Sequence, residues 1–140
     1  MNKMPFIRKN NLQTGDRLVV LKAPGINHHG IFVNDGMGRG LVAENRPQMG
    51  VQYSTSRDFL HRAIGARIDI QAFAGSEADR AKIIPRIDAL LGTGYDLLRF
   101  NCEHFANEIQ QGKATSYQIG GWMAALTFLG IAWMITRESE

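Results

Sequence analysis

Short runs of aliphatic and β-branched residues, separated by turns, dominate the first half of this chain. Ala23-Pro24-Gly25 breaks the first run, and Asn34-Asp35-Gly36 is a hairpin-turn signal between the second and the third. Such runs predict a small antiparallel β-sheet. The predicted strands are Arg17–Leu21, His28–Val33, Leu41–Glu44 and Val51–Tyr53.

A fifth strand and a helix are predicted next. From Ala63 to Phe73, apolar residues alternate with polar residues or glycine, which is the pattern of a half-buried strand. Ser76 can cap a helix, and Pro85 should kink or divide that helix. Its apolar face would be Ile83, Ile84, Ile87, Leu90 and Leu91. The predicted fold class is α+β, with a small antiparallel sheet packed on helices.

The only cysteine of the chain, Cys102, stands at the start of a second predicted helix. Asn101 is a good N-cap, because its side chain can accept hydrogen bonds from the first-turn amides. The helix dipole and these free N–H groups favour a thiolate at the next position. A lone cysteine is often only a small buried hydrophobe, whereas this capped position favours a nucleophile, provided that a base lies nearby.

The chain has four histidines that could serve as this base. His104 lies about 200° around the helix from Cys102, so a structural role is expected for it. His61 is expected at the surface. His28 and His29 are adjacent strand residues that point to opposite faces, so only one of them can face the thiol. Glu44 could orient the base as a third group, with Asn45 as the competing choice.

The segment Asn101-Cys102-Glu103-His104-Phe105 resembles the NCEHF signature of the lecithin:retinol acyltransferase family, which includes the H-Ras-like suppressor phospholipase/acyltransferases. The segment from His28 to Gly36 is similar to that family's histidine strand and turn, and 12–16 to its opening turn. The resemblance covers most of residues 12–118. It implies an NlpC-like, circularly permuted papain-type fold.

The resemblance also implies site residues. Cys102 would be the nucleophile and His28 the base, with His29 where the family usually carries tryptophan. Where the family has a second histidine, this chain has Glu44. The implied chemistry is acyl transfer or hydrolysis through a thioester, and it requires no metal or organic cofactor.

The last feature is an uncharged stretch of 23 residues, 114–136, bounded by Lys113 and Arg137. As a helix it would be about 35 Å long, enough to cross a bilayer. The alternative is an apolar helix packed on the domain or buried in a homo-oligomer. We expect a catalytic domain over 1–112 and a C-terminal hydrophobic, transmembrane segment over 113–140, with the catalytic part in the cytosol.

Composition narrows the remaining function classes. The net charge is only +3, and the basic residues are scattered rather than clustered, which argues against nucleic-acid binding. A single cysteine indicates a reducing compartment, and residues 1–16 contain no apolar run of signal-peptide length. Three hypotheses remain: a membrane-anchored thiol phospholipase or acyltransferase acting on lipid acyl chains, an NlpC-type cysteine peptidase or amidase, and a catalytically silent membrane or interaction protein.

Overall fold

The computed structural model describes residues 5–23, 26–113 and 123–127. A five-stranded antiparallel sheet forms the centre of the described chain, in the order β4-β3-β2-β1-β5. Its strands are β1 (Arg17–Ala23), β2 (Ile26–Val33), β3 (Leu41–Arg46), β4 (Gly50–Thr55) and β5 (Arg67–Gln71). The helices are α1 (Pro5–Asn10), α2 (Ser56–Arg62), α3 (Glu77–Arg80), α4 (Ile83–Leu90) and α5 (Cys102–Gln111). The predicted α+β class is confirmed.

Both faces of the sheet are covered by helices. Ile31 and Val33 of β2 pack with α4 and α5 on one face, around the buried Phe105. Phe32, between them in sequence, points to the other face and packs with residues of α1 and α2, including Phe59. Two-sided burial explains why the β2 sequence is apolar at consecutive positions rather than alternating.

The prediction for Ala63–Phe73 is too long, because β5 covers only Arg67–Gln71. Helix α2, capped by Thr55, runs to Arg62, and Ala63 is its C-cap. The chain then turns at Gly65, which has a φ of 82°, and Ile64 is 76% exposed. The apolar alternation therefore begins in a helix end and a turn before it reaches the strand.

The helical stretch from residue 77 to residue 90 is divided, as the sequence predicts. Ser76 and Asp79 form a reciprocal capping box at the start of α3, which ends at Arg80. Helix α4 then begins at Ile83. Pro85 lies in the first turn of α4 and has no N–H to donate to the carbonyl of Ala81, so α3 and α4 cannot form one regular helix.

The predicted transmembrane segment falls almost wholly outside the described residues. Apart from Lys113, the structure describes only Met123–Thr127 of it, which are helical. Among the described residues, none of the helices combines the length and hydropathy that a membrane span requires.

Gly30 marks a close approach between the sheet and α2. It lies in β2 opposite Glu44 of β3. A Cβ atom at this position would come within 2.5 Å of Val42 Cγ1 and 3.0 Å of Phe59 Cε2. The absence of a side chain here lets the Phe59 ring pack directly on the strand, and this brings α2 close to β2 and β3.

Candidate active site

The candidate site lies where β2 and β3 separate. Their pairing ends at Gly30 and Glu44, beyond which β2 continues beside β1 and β3 beside β4. The start of α5 is bound to both strands at this opening. The Cys102 thiol lies 3.5 Å from the Asn27 carbonyl oxygen of β2, and the Asn45 side-chain amide of β3 donates to the Phe100 carbonyl at 2.8 Å.

Cys102 occupies the first position of α5, directly after its cap. The Asn101 side-chain oxygen accepts from the backbone N–H groups of Glu103 at 2.9 Å and His104 at 3.0 Å. The His104 ring accepts in return from the Asn101 N–H through Nδ1, at 3.1 Å. His104 thus holds the helix cap, and burial lowers its pKa despite the charges of Glu103 and Asp96.

The His28 ring connects Cys102 with Glu44. Its Nε2 lies 2.6 Å from Glu44 Oε2, and the Cys102 thiol is close enough to the ring to act on its protonation. With Nε2 engaged by the carboxylate, Nδ1 is the ring nitrogen left for sulfur. Burial alone would lower the pKa of His28, but the hydrogen bonds to Cys102 and Glu44, together with their charges, outweigh it and raise this pKa.

Sheet register explains why Glu44 meets His28. Glu44 pairs with Gly30, and His28 lies two residues before Gly30 on the same face, so the two side chains are diagonal neighbours. The Phe59 ring lies 6.0 Å from the His28 ring, centroid to centroid, and covers this face. The contact is therefore shielded from water, which strengthens it.

Glu44 has no exposed surface, yet its contacts favour the ionised carboxylate. Arg62, from the end of α2, bonds both carboxylate oxygens, and Ser54 of β4 donates to Oε1. Burial would raise the pKa of Glu44, but the hydrogen bonds from His28, Arg62 and Ser54 lower it to about 2. Four elements, β2, β3, β4 and α2, thus contribute to one buried charge cluster.

Sequence reasoning missed Arg62 and Ser54. Both contacts join residues that are close only after β3, β4 and α2 have folded together. The one available signal was physical: a carboxylate predicted inside a sheet must have a cationic or donor partner, because an unpaired buried charge is costly. This argument predicts that Glu44 has a cationic partner, but it does not identify which arginine of the chain is that partner.

The other candidate residues lie away from the thiol–imidazole–carboxylate series. Asn45 bonds the Phe100 carbonyl through its amide, so it fixes the segment before α5 rather than the His28 ring. His61 is exposed on α2. His29 is buried on the opposite face from His28, where Nδ1 accepts from Arg17 Nε at 3.0 Å. Within the described ranges, no group of three or more His, Cys, Asp or Glu side chains could hold a metal ion.

A thiol, an imidazole and a carboxylate arranged in this order allow a proton to move from the thiol to the imidazole. The imidazole can take the thiol proton, and the carboxylate can stabilise the resulting imidazolium through its second nitrogen. The thiolate that forms lies at a helix N-terminus, which favours negative charge. The arrangement is suited to nucleophilic attack by sulfur.

The ionisation of Glu44 should make stability fall with acid. Because its folded pKa of about 2 lies below the ordinary 4.5, its contribution is complete above that ordinary value and is lost as pH falls toward 2. Between pH 5 and pH 3, wild type should lose about 2 kcal/mol of unfolding free energy that Glu44→Gln does not lose. Urea unfolding measures this, with Glu108→Gln expected to follow wild type. Parallel losses in wild type and Glu44→Gln would contradict the assignment.

Comparison with known protein families gives a match. The family model described as lecithin retinol acyltransferase matches residues 10–115, which include all five strands, α2 to α5 and the residues Cys102, His28 and Glu44. Neither the curated proteins nor the solved structures give a significant match. The matched range spans most of the chain, which therefore belongs to the lecithin retinol acyltransferase family.

Proposed function

We propose that this protein is a thiol phospholipase A/acyltransferase that carries the acyl group as a thioester on Cys102. Family membership indicates acyltransferase or hydrolase activity on lipids. The observation that supports the finer proposal is the arrangement of three groups: the Glu44 carboxylate bonds the His28 ring at 2.6 Å, and the Cys102 thiol acts on the same ring. We further propose that the family's relation to NlpC-type enzymes holds here, with the histidine strand preceding the cysteine helix in a permuted papain-like order.

In the first step, His28 takes the proton of Cys102 and the sulfur attacks the carbonyl carbon of an acyl ester. The tetrahedral intermediate collapses by breaking the carbon–oxygen bond, and His28 returns the proton to the leaving alcohol. Sulfur then holds the acyl group as a thioester. The reaction needs only the ester as substrate and regenerates neutral His28 at this stage.

The developing oxyanion needs a donor close to sulfur. The Asn101 cap engages the N–H groups of Glu103 and His104, and the N–H of Cys102 is not among them. We assign that N–H to the oxyanion, because it lies on the same residue as the nucleophile and at the positive end of the helix.

In the second step, water or an acceptor alcohol or amine attacks the thioester carbonyl while His28 removes its proton. The carbon–sulfur bond breaks, and the departing Cys102 sulfur regains the proton from His28. When water is the acceptor, the product is a fatty acid. When an alcohol or amine is the acceptor, the product is a new ester or amide, so one site supports both hydrolysis and transfer.

Glu44 would serve where the resembling family has a second histidine. A carboxylate accepts the His28 ring N–H and balances the charge of the imidazolium. Arg62 and Ser54 hold the carboxylate oxygens, so Glu44 cannot rotate away from the ring. The rigid clamp fixes the ring orientation and leaves the other ring nitrogen directed to sulfur.

We also propose that residues 113–140 anchor the protein in a membrane, with the catalytic part, residues 1–112, on the cytosolic side. The support is the uncharged stretch of 23 residues, 114–136, between Lys113 and Arg137. An anchor would hold the thiol close to lipid substrates.

One prediction of this proposal concerns the acyl-enzyme. Incubation of the purified protein with a labelled diacyl phospholipid should give, by intact mass, one acyl adduct that Cys102→Ala and His28→Ala abolish. His61→Ala serves as the histidine control and should retain the adduct. Absence of both an adduct and fatty-acid release over a range of phospholipids would contradict the proposal, and adduct formation with peptide or amide substrates instead would favour the peptidase alternative.

A second prediction isolates the carboxylate. Glu44→Gln keeps the size of the side chain but removes the charge that stabilises the imidazolium, so the rate of adduct formation should fall by about 10²-fold or more. Glu108→Gln makes the same change on the far part of α5 and should leave the rate near that of wild type. Equal rates for the two variants would remove Glu44 from the mechanism.

A third prediction concerns the tail. Deleting residues 114–140 should move the protein from the membrane fraction to the supernatant after ultracentrifugation, while the truncated protein still forms the acyl adduct in detergent-dispersed substrate. A full-length chain that already stays in the supernatant would show that the tail packs on protein, and its oligomeric state would then distinguish packing within one chain from packing between chains.

A further inference from the structure

A buried arginine lies on the sheet face beneath α5. Arg17 is the first residue of β1 and is only 7% exposed. A guanidinium taken out of water is costly unless its donors are satisfied, so a residue of this kind is held by specific partners. The partners here belong to the strand of the base and to the helix of the nucleophile.

The contacts of Arg17 join two strands to α5. Its Nε donates to His29 Nδ1 at 3.0 Å, and its Nη1 donates to Asn107 Oδ1 at 2.6 Å. In the β1–β2 register, Arg17 pairs with Ile31 and Val19 with His29, so Arg17 and His29 are diagonal neighbours on the face that α5 covers. Asn107 is itself buried in the middle of that helix.

His29 takes part in this network as a neutral ring. Its burial, reinforced by the charge of Arg17, lowers its pKa to about 4. With Nδ1 accepting from Arg17, the ring proton is carried by Nε2. The tryptophan usual at this position in the resembling family has only an N–H donor and could not accept this bond, so the contact depends on the histidine of this chain.

Arg17 also lies close enough to Cys102 and Glu103 for their charges to interact. Burial lowers the pKa of Arg17, and those two groups oppose the effect. Charged and titratable groups that interact with the thiol are Arg17 of β1, His28 of β2 and Tyr95 of the loop before α5. Glu44 of β3 acts through His28, and Glu103 of α5 acts on Arg17 and His29.

We propose that Arg17 is a positioning residue that fixes the Cys102 thiol relative to the His28 ring and favours the thiolate–imidazolium pair. Arg17 binds His29, which is the residue next to His28 in β2. It also binds Asn107, which lies five residues after Cys102 on α5. The guanidinium therefore sets the spacing between the two reacting groups through these contacts and places a positive charge close enough to act on sulfur. This inference rests on the proposed function, since it assigns Cys102 as the nucleophile.

Alkylation of Cys102 by iodoacetamide tests the inference without any lipid, because the chain has no other cysteine. Rates are measured on the full-length protein from pH 5 to pH 9. Arg17→Met should lower the rate at pH 7 by about tenfold and move the rise of the profile to higher pH by about one pH unit. Arg17→Lys keeps the charge and one donor, and its profile should lie between those of wild type and Arg17→Met.

Ile87→Ala is the control for loss of stability. Ile87 is a fully buried α4 residue in the core that α5 covers, so its truncation destabilises the fold without touching the Arg17 contacts. Its alkylation profile should match that of wild type under conditions where urea unfolding shows both proteins folded. A shift as large as that of Arg17→Met, or an Arg17→Met profile that superimposes on wild type, would overturn the inference.

A second pair of variants applies if Arg17→Met does not fold. His29→Gln retains an acceptor for Arg17 and should keep the wild-type profile, whereas His29→Leu removes the acceptor and should shift it. Identical profiles for these two would also overturn the inference. His28→Ala distinguishes failure of the Arg17 inference from failure of the proposed function. If His28→Ala has the wild-type profile, the thiol–imidazole pair of the proposed function is wrong.

Discussion

A carboxylate with no exposed surface lies between a histidine and an arginine in this protein, and the geometry of the site depends on it. Glu44 can remain ionised in the core only because His28, Arg62 and Ser54 satisfy its oxygens. Removing one partner of such a cluster leaves an uncompensated buried charge, which is far more damaging than loss of a surface pair. The same contacts that keep Glu44 ionised also hold the ring that faces Cys102.

The opening between β2 and β3 is the second requirement. If the strands had continued to pair beyond Gly30 and Glu44, the start of α5 and the residue before its cap could not bond to them. The sheet thus ends its pairing where α5 begins. At this opening the Asn27 carbonyl bonds the thiol, and the Asn45 side-chain amide bonds the segment before the helix. Asn101 completes the junction by capping α5 directly before the thiol.

Local patterns in the sequence predicted most of the strands, the cap at Asn101 and the division of the helix before Pro85, because each depends on neighbours a few residues away. The start of β5 was predicted too early, since the same alternation runs through the C-cap of α2 and the turn that follows it. The clamp on Glu44 and the network of Arg17 could not be predicted in the same way. Arg17 and Asn107 are 90 residues apart in sequence, and nothing local to either residue indicates the contact.

Gly30 connects the packing of one face to the chemistry at its edge. The missing Cβ atom allows Phe59 to lie against β2, and Phe59 precedes Arg62 by three residues, about one turn of α2. The depth of that helix over the sheet therefore sets the reach of the arginine. A bulkier residue at position 30 would act as a spacer that lifts α2 and lengthens the Arg62–Glu44 contact. The side-chain volume at this position would therefore tune the basicity of the His28 imidazole, two residues earlier in β2.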